Sequence, residues 1–170
     1  IFTAVCINDE FMRRLNNRET WTIVDPYEVN KKLGIDLNKL YDKKKLKDGE
    51  IPNPIDHAFT YHYRIVEKSD LELKKVVQAK DIYANIYTAR KTGGTPFMYY
   101  SDSAARMNPN SHAGNPMASN LCTEIIQNMI HDKYDDDVLR EGGVVIQVKQ
   151  GDGLVTCNLN SIVLPNVFKD

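Results

Sequence analysis

The sequence lacks most of the short motifs by which an enzyme class is identified. It contains no GxxxxGK[ST] phosphate-binding loop, no GxGxxG dinucleotide fingerprint, no HExxH zinc motif and no CxxC pair. Its four histidines are scattered and do not have the spacing of metal ligands. Sites of these common classes are therefore not predicted.

Charge, hydropathy and cysteine content exclude further classes. A net charge of −1 gives no basic surface for nucleic acid or for an anionic membrane. No apolar run approaches the roughly 20 residues of a membrane span, and no basic-plus-apolar leader opens the chain. Three widely spaced cysteines are an odd number and do not form a disulfide framework, so the expected compartment is the reducing cytoplasm. Cys6, between two aliphatic residues, is expected to be a small buried hydrophobe.

The composition is that of an ordinary globular chain. Its 170 residues, 42% hydrophobic and 26% charged, are enough to bury a core. The chain opens on Ile1 in the middle of a pattern, which favours a piece of a larger protein. Helix patterns prevail early and strand patterns late. The predicted fold class is therefore α/β, with helices mainly N-terminal and strands mainly C-terminal.

Helix signals are strongest in the first half of the chain. Asn8 is placed to cap a short amphipathic helix. A lysine-rich stretch at about 34–70 is predicted to be largely irregular, with aromatic residues at helical spacing towards its end. The longest helix is predicted to begin at Ser69, which forms a capping box with Glu72, and to end at Gly93.

Strand signals follow, with short runs of β-branched and aromatic residues between turn residues. Strands are predicted at 21–24, 95–100, 119–125, 144–148 and 154–164. The segment QGDG between the last two has the composition of a hairpin turn.

The segment SNLCTEI, at 119–125, has an unusual pattern of polar residues. In an extended strand alternate side chains share a face, so Asn120, Cys122 and Glu124 would stand in a row. An amide, a thiol and a carboxylate on one face would suit a small polar substrate. Cys157 also has polar neighbours, in a second predicted strand, so the two thiols are candidates for one site.

A cysteine hydrolase is one alternative for this segment. Cys122 would then be the nucleophile, with His112 or His131 as its base. Neither histidine has a defined place beside the thiol. Glu124 on the same face would raise the pKa of the thiol, which weakens a nucleophile.

SNLCTEI and its flanking segments resemble the large, catalytic subunit of ribonucleotide reductase. The segment is preceded by GTPFMYYSDSAARMNPN and followed by GDGLVTCNLNSIVLPNVF. The likeness runs from FMRR and WTIVDPYEV to the last residue and is weakest in the lysine-rich stretch. NLCTEI-x-QNM is most similar to the class I enzymes, especially the Ib branch. Asn115-Pro116 departs from the residues that are commoner just before the motif.

The resemblance implies a role for each polar residue of the pattern. Cys122 would carry a thiyl radical that abstracts the 3′-hydrogen of a ribonucleotide. Glu124, as a carboxylate, would accept the proton of the 3′-hydroxyl, and Asn120 would hydrogen-bond the sugar hydroxyls. Cys157 would be half of the redox-active pair that supplies two electrons and ends as a disulfide.

The resemblance also implies a fold and a set of partners. Residues 1–170 would be a single middle fragment of a ten-stranded α/β barrel, in which the radical cysteine lies on a central loop. The complete enzyme would reduce ribonucleoside diphosphates for DNA synthesis, with a radical from an iron- or manganese-containing beta subunit and electrons from a thioredoxin- or glutaredoxin-like reductant.

The fragment itself would bind no cofactor or metal, and alone it would be inactive. It would need the remaining segments of the alpha subunit. A second alternative is a non-catalytic assembly segment of a split reductase subunit.

Overall fold

The chain divides into two compact units in the computed structural model, Ile1–Met129 and Ile130–Asp170. The residues that the structure describes are 3–120, 123–128, 133–134, 138–139, 145–146, 149–150 and 160–163. The assignment of the whole chain to a single barrel fragment stays a prediction.

The described part of the first unit contains five α-helices and four strands. The helices are α1 (Asp9–Asn16), α2 (Pro26–Leu33), α3 (Ala58–Lys68), α4 (Ala79–Gly93) and α5 (Ser101–Met107). The strands are β1 (Ala4–Ile7), β2 (Thr20–Val24), β3 (Lys74–Gln78) and β4 (Phe97–Tyr100). The strands predicted at 21–24 and 95–100 are confirmed as β2 and β4.

The four strands form two separate pairs. β1 runs parallel to β4, so that the start of the chain lies beside the strand that leads into α5. β2 and β3 are antiparallel. Cys6 on β1 is exposed, so the prediction that it is buried is wrong. Among the described strands, β1 and β4 pair only with each other.

The described strands of the second unit are two residues long. Lys133–Tyr134 (β5) pairs with Lys149–Gln150 (β8), and Val138–Leu139 (β6) pairs with Val145–Ile146 (β7), both antiparallel. The predicted strand at 144–148 contains β7. Residues 160–163 of the predicted strand at 154–164 are described and are not in a strand; the rest of that strand and most of the QGDG turn lie outside the described residues.

The helix starts show how the sequence specifies local structure. The side chain of Asn8 accepts a hydrogen bond of 2.8 Å from the backbone N–H of Phe11, which confirms the predicted cap of α1. Asp25 caps α2 in the same way, accepting from Glu28 at 2.7 Å, and Pro26 follows at the first helical position. The sequence reasoning did not predict α2.

The long helix predicted from Ser69 is wrong in its first part. Ser69 ends α3, and the chain then forms β3 before α4 begins at Ala79. The β-branched residues Val76 and Val77 suit a strand, and the whole of β3 pairs with β2. The predicted end is confirmed, because Gly94 adopts a left-handed conformation with φ 75° and closes the helix.

The lysine-rich stretch is irregular only in its first part. Between α2 and His57 the structure has one 3-10 turn, at Leu37–Lys39, and an isolated β-bridge between Asp42 and His57. From Ala58 onward α3 occupies the predicted irregular region. Its buried side chains Phe59 and Tyr63 follow the helical spacing that the sequence predicts.

A buried ion cluster joins α1 to α3. Arg14 donates to Glu10 at 2.8 Å and to both oxygens of Glu67 at 2.6 Å, and its guanidinium lies 5.0 Å from the ring centre of Tyr63. Burial by itself would raise the pKa of Glu10, but hydrogen bonds from Arg13 and Arg14 more than offset it, and the pKa is lowered. Each buried charge therefore has a partner, as buried charges require.

Asp102, at the start of α5, joins three segments of the first unit. The residue is only 1% exposed. Its carboxylate accepts hydrogen bonds from the backbone N–H of Asp9 at 2.7 Å and from that of Asp42 at 2.9 Å. Asp42 in turn accepts from the N–H and the hydroxyl of Thr60 on α3. Burial raises the pKa of Asp102 to about 6, and the neighbouring carboxylates add to this rise.

The raised pKa of Asp102 predicts a pH-dependent contribution to stability. The folded state binds the proton more tightly than the unfolded state, so the contribution is present below about pH 4 and is lost as the pH rises through about 6. Compared with the non-titrating variant Asp102→Asn, the wild type should lose on the order of 3 kcal/mol between pH 4 and pH 7.

Urea unfolding of both proteins at several pH values measures this difference. Asp70→Asn, at an exposed position, controls for the loss of one surface carboxylate. A stability difference between the wild type and Asp102→Asn that does not change with pH would contradict the assignment.

Candidate active site

The segment that carries the predicted site is anchored to β4. Tyr99, on β4, is 3% exposed and donates a hydrogen bond of 2.9 Å to the carbonyl of Pro116. Burial raises the pKa of Tyr99 to about 12, so its hydroxyl is neutral and is a donor at physiological pH. Pro116 is itself fully buried. Asn115-Pro116, where the sequence differs from the residues commoner in the reductase family, is therefore also the point at which this segment is bonded to β4.

The described part of SNLCTEI is a tight turn, and the predicted strand at 119–125 is wrong. The N–H of Thr123 bonds to the carbonyl of Asn120 at 3.1 Å, which is a turn contact. Ser119 donates to the carbonyl of Ile125 at 2.6 Å, and the N–H of Ile125 donates to the side chain of Asn120 at 3.0 Å. These side chains satisfy the backbone locally and so compete with a strand ladder.

The turn brings two of the three polar residues together. The amide of Asn120 donates a hydrogen bond of 2.6 Å to one carboxylate oxygen of Glu124. Both residues are exposed, so their polar groups are accessible to a ligand. The sequence pattern predicted that both residues share one face of a strand, whereas in the structure the chain folds back and brings them into direct contact.

Thr123 has a backbone conformation that is rare for its residue type. Its φ is 66°, in the left-handed region that a β-branched residue seldom adopts. Strained residues of this kind are held in place by their surroundings and are concentrated at functional sites. Thr123 directly follows Cys122 in the sequence, which supports a functional reading of the turn.

Both predicted catalytic cysteines lie outside the described residues. This applies to Cys122, with its neighbour Leu121, and to Cys157. Their roles, and those of Asn120 and Glu124, stay predictions.

Two asparagines that the sequence reasoning did not single out close the segment. Asn108, just after α5, donates through its amide to the side-chain oxygen of Asn128 at 2.6 Å. Asn128 donates in return to the carbonyl of Asn110 at 2.7 Å. Asn108 and Asn128 occur in the RMNPN and QNM segments, but nothing in a single sequence indicates that they meet.

An open cleft of about 310 Å³ adjoins the turn. Thr123 and Ile126 line it from the turn, and Tyr100 and Met107 line it from β4 and α5. No basic side chain is among the described residues that line it.

In the described contacts, no histidine forms a hydrogen bond with the turn. His112 lies in the exposed 3-10 turn Ser111–Ala113, without a described hydrogen bond to the site segment. His131 lies outside the described residues. In the part of the chain that can be described, no group of three or more His, Cys, Asp or Glu residues could hold a metal ion. The helices described here are all too short or too polar to span a membrane.

A family comparison covers the whole chain. The model of the family described as "Ribonucleotide reductase, barrel domain" matches residues 1–170. The chain belongs to the ribonucleotide reductase barrel family. The resemblance carried by SNLCTEI and its flanks is thereby confirmed, and so is the α/β barrel as the fold class to which this segment contributes.

Curated relatives agree with the family match. The chain is 35% identical to the ribonucleoside-diphosphate reductase subunit alpha of Helicobacter pylori strain J99 over 79% of its own length. It is 33% identical to the subunit alpha of Synechocystis over 76%. It is 31% identical to that of Treponema pallidum over 98%.

The chain is short compared with these ribonucleotide reductases. It spans 15% of the length of the Helicobacter and Synechocystis proteins and 19% of the Treponema protein. These three relatives are named as reductases and not as hydrolases.

Proposed function

We propose that this chain is part of the alpha subunit of a ribonucleoside-diphosphate reductase, which converts ribonucleotides to deoxyribonucleotides for DNA synthesis. The observation that carries the proposal is the hydrogen bond of 2.6 Å between Asn120 and Glu124, in a turn of a chain whose full length matches the reductase barrel family. The two polar groups are held together on either side of Cys122 in the sequence.

The proposed chemistry begins at Cys122. Its thiyl radical removes the 3′-hydrogen atom of the ribose and becomes a thiol. Glu124 accepts the proton of the 3′-hydroxyl, which is general-base catalysis, and passes it to the 2′-hydroxyl, which leaves as water. Cys157 and a partner cysteine then supply two electrons and two protons as they form a disulfide, and the 3′-hydrogen returns from the thiol of Cys122.

The contact between Asn120 and Glu124 supports separate roles, in which Asn120 orients the carboxylate and Glu124 accepts the proton. The amide fixes one carboxylate oxygen at 2.6 Å, which orients the carboxylate and leaves its second oxygen to meet a substrate hydroxyl. The carbonyl of the same amide is used by the N–H of Ile125. Asn120 is therefore held from both ends, and a fixed amide positions a reacting group well.

The partners follow from the same proposal. The substrate is a ribonucleoside diphosphate, and the remaining segments of the alpha subunit supply its phosphate contacts. The radical comes from a beta subunit that contains iron or manganese. A thioredoxin- or glutaredoxin-like dithiol resets the disulfide, and such chemistry suits the reducing cytoplasm.

Glu124→Gln in the complete subunit tests the proposal. Glutamine keeps the shape of the side chain and an acceptor for the amide of Asn120, but it cannot take a proton. The kcat for deoxyribonucleotide formation should fall at least about 100-fold, with KM little changed. The measurement is product formation from labelled ribonucleoside diphosphate with the beta subunit and a dithiol.

Gln127→Ala is the matched control. Gln127 is exposed on the same segment and makes no hydrogen bond among those described. This variant should keep the wild-type kcat. The proposed base is ruled out if Glu124→Gln turns over at the wild-type rate.

A further inference from the structure

We propose that Asn108 and Asn128 form an amide clasp that positions the Asn120–Glu124 turn for catalysis. The two residues are positioning residues and do not themselves contact the substrate. The inference rests on the proposed function for the role of the turn. The structural part of the inference, that the clasp holds the turn in place, can be tested without an activity assay.

The clasp uses the polar groups of both side chains. Asn108 is 8% exposed, and its NH₂ group donates to the side-chain oxygen of Asn128 at 2.6 Å and to the carbonyl of Gly114 at 3.3 Å. Its own side-chain oxygen accepts from the N–H of Asn110 at 3.0 Å. Asn128 donates to the carbonyl of Asn110 at 2.7 Å. A buried amide with all its groups paired is held in a single orientation.

Among the residues that the structure describes, the clasp supplies the hydrogen bonds that join the turn to the rest of the unit. In the described contacts, the bonds of Ser119, Asn120 and Ile125 are all made within the turn. The bonds from Asn108 to Asn128 and from Asn128 to Asn110 are the ones that leave the segment 119–128. The exposed turn is therefore fixed at its C-terminal side by two asparagines.

The clasp is attached to a rigid element. The N–H of Asn108 bonds to the carbonyl of Ala105 at the end of α5. Ala104, Ala105 and Asp102 of that helix are buried. The residues of the clasp are 20 positions apart, so their bond closes a long loop onto a buried helix. Within that loop, Tyr99 also holds Pro116.

The expected effect of breaking the clasp is a loss of rate. A displacement of about 1 Å at reacting groups costs roughly 100-fold in rate. The phosphate contacts lie elsewhere in the proposal, so substrate affinity should change little. Asn108→Ala and Asn128→Ala in the complete subunit should each lower kcat by about 10- to 100-fold and leave KM within about threefold.

The double variant and a direct probe of the turn complete the test. Because the two side chains contact each other directly, the double variant should lose less rate than the product of the two single losses. Hydrogen exchange of the peptide that contains 119–125 should be faster in every clasp variant than in the wild type, since the N–H groups of Thr123 and Ile125 are bonded within the turn. Gln127→Ala should match the wild type in kcat and in exchange.

The outcomes separate the clasp from the proposed function. Wild-type kcat and wild-type exchange in folded Asn128→Ala would overturn the clasp and leave the reductase assignment intact. Faster exchange in a protein whose wild type shows no reductase activity would support the clasp as a structural device and overturn the function. Asn128 is partly exposed, and its variant can be assayed even if Asn108→Ala fails to fold.

Discussion

The variant Cys122→Ser is expected to form no deoxyribonucleotide, although the complete subunit that carries it should fold normally. Serine differs from cysteine by one atom, but its O–H bond is too strong for an alcohol to replace the thiol in hydrogen-atom transfer. The role of Cys122 rests on the SNLCTEI pattern and on membership of the reductase barrel family. The measurement is conversion of labelled ribonucleoside diphosphate in the presence of the beta subunit and a dithiol.

Cys6→Ser is the matched control for this experiment. Cys6 is a free, exposed cysteine on β1, and the same substitution there should leave turnover unchanged. Thermal unfolding of both variants checks that the fold is retained. Deoxyribonucleotide formed above background by Cys122→Ser would refute the radical assignment.

Features decided within a few residues could be predicted from the sequence. The cap at Asn8 and the glycine end of α4 depend on neighbours one turn away, and both are confirmed. Features decided by distant pairing could not. Residues 74–78 have apolar spacing that also fits a helix, and they form β3 because β2 lies beside them.

The same distinction applies to the candidate site. The sequence placed Asn120 and Glu124 in one site, but their direct contact comes from a turn where a strand was predicted. A period of two over so short a segment is weak evidence for a strand when Ser and Asn side chains can bond the backbone. The contact between Asn108 and Asn128 joins distant residues through neutral side chains, and no local pattern predicts such a pair.

The Cys157→Ser variant should separate initiation from reduction. Its proposed role is to supply electrons after the 2′-hydroxyl has left, so the earlier steps should proceed without it. Hydrogen abstraction from the 3′-carbon should continue, while multiple turnover stops because no disulfide can form. The intermediate then has no source of two electrons and decomposes.

Two measurements on one sample test this separation. Release of label from 3′-tritiated ribonucleotide reports hydrogen abstraction, and accumulation of deoxyribonucleotide reports reduction. Cys157→Ser should retain the first and lose the second, whereas Cys122→Ser should lose both. Cys6→Ser, as a cysteine outside the proposed site, should retain both. Normal multiple turnover by Cys157→Ser with a dithiol present would mean that another residue supplies the electrons. If Cys157→Ser instead lost both tritium release and turnover, Cys157 would be needed for hydrogen abstraction. The reducing thiols would then have to be other cysteines of the subunit.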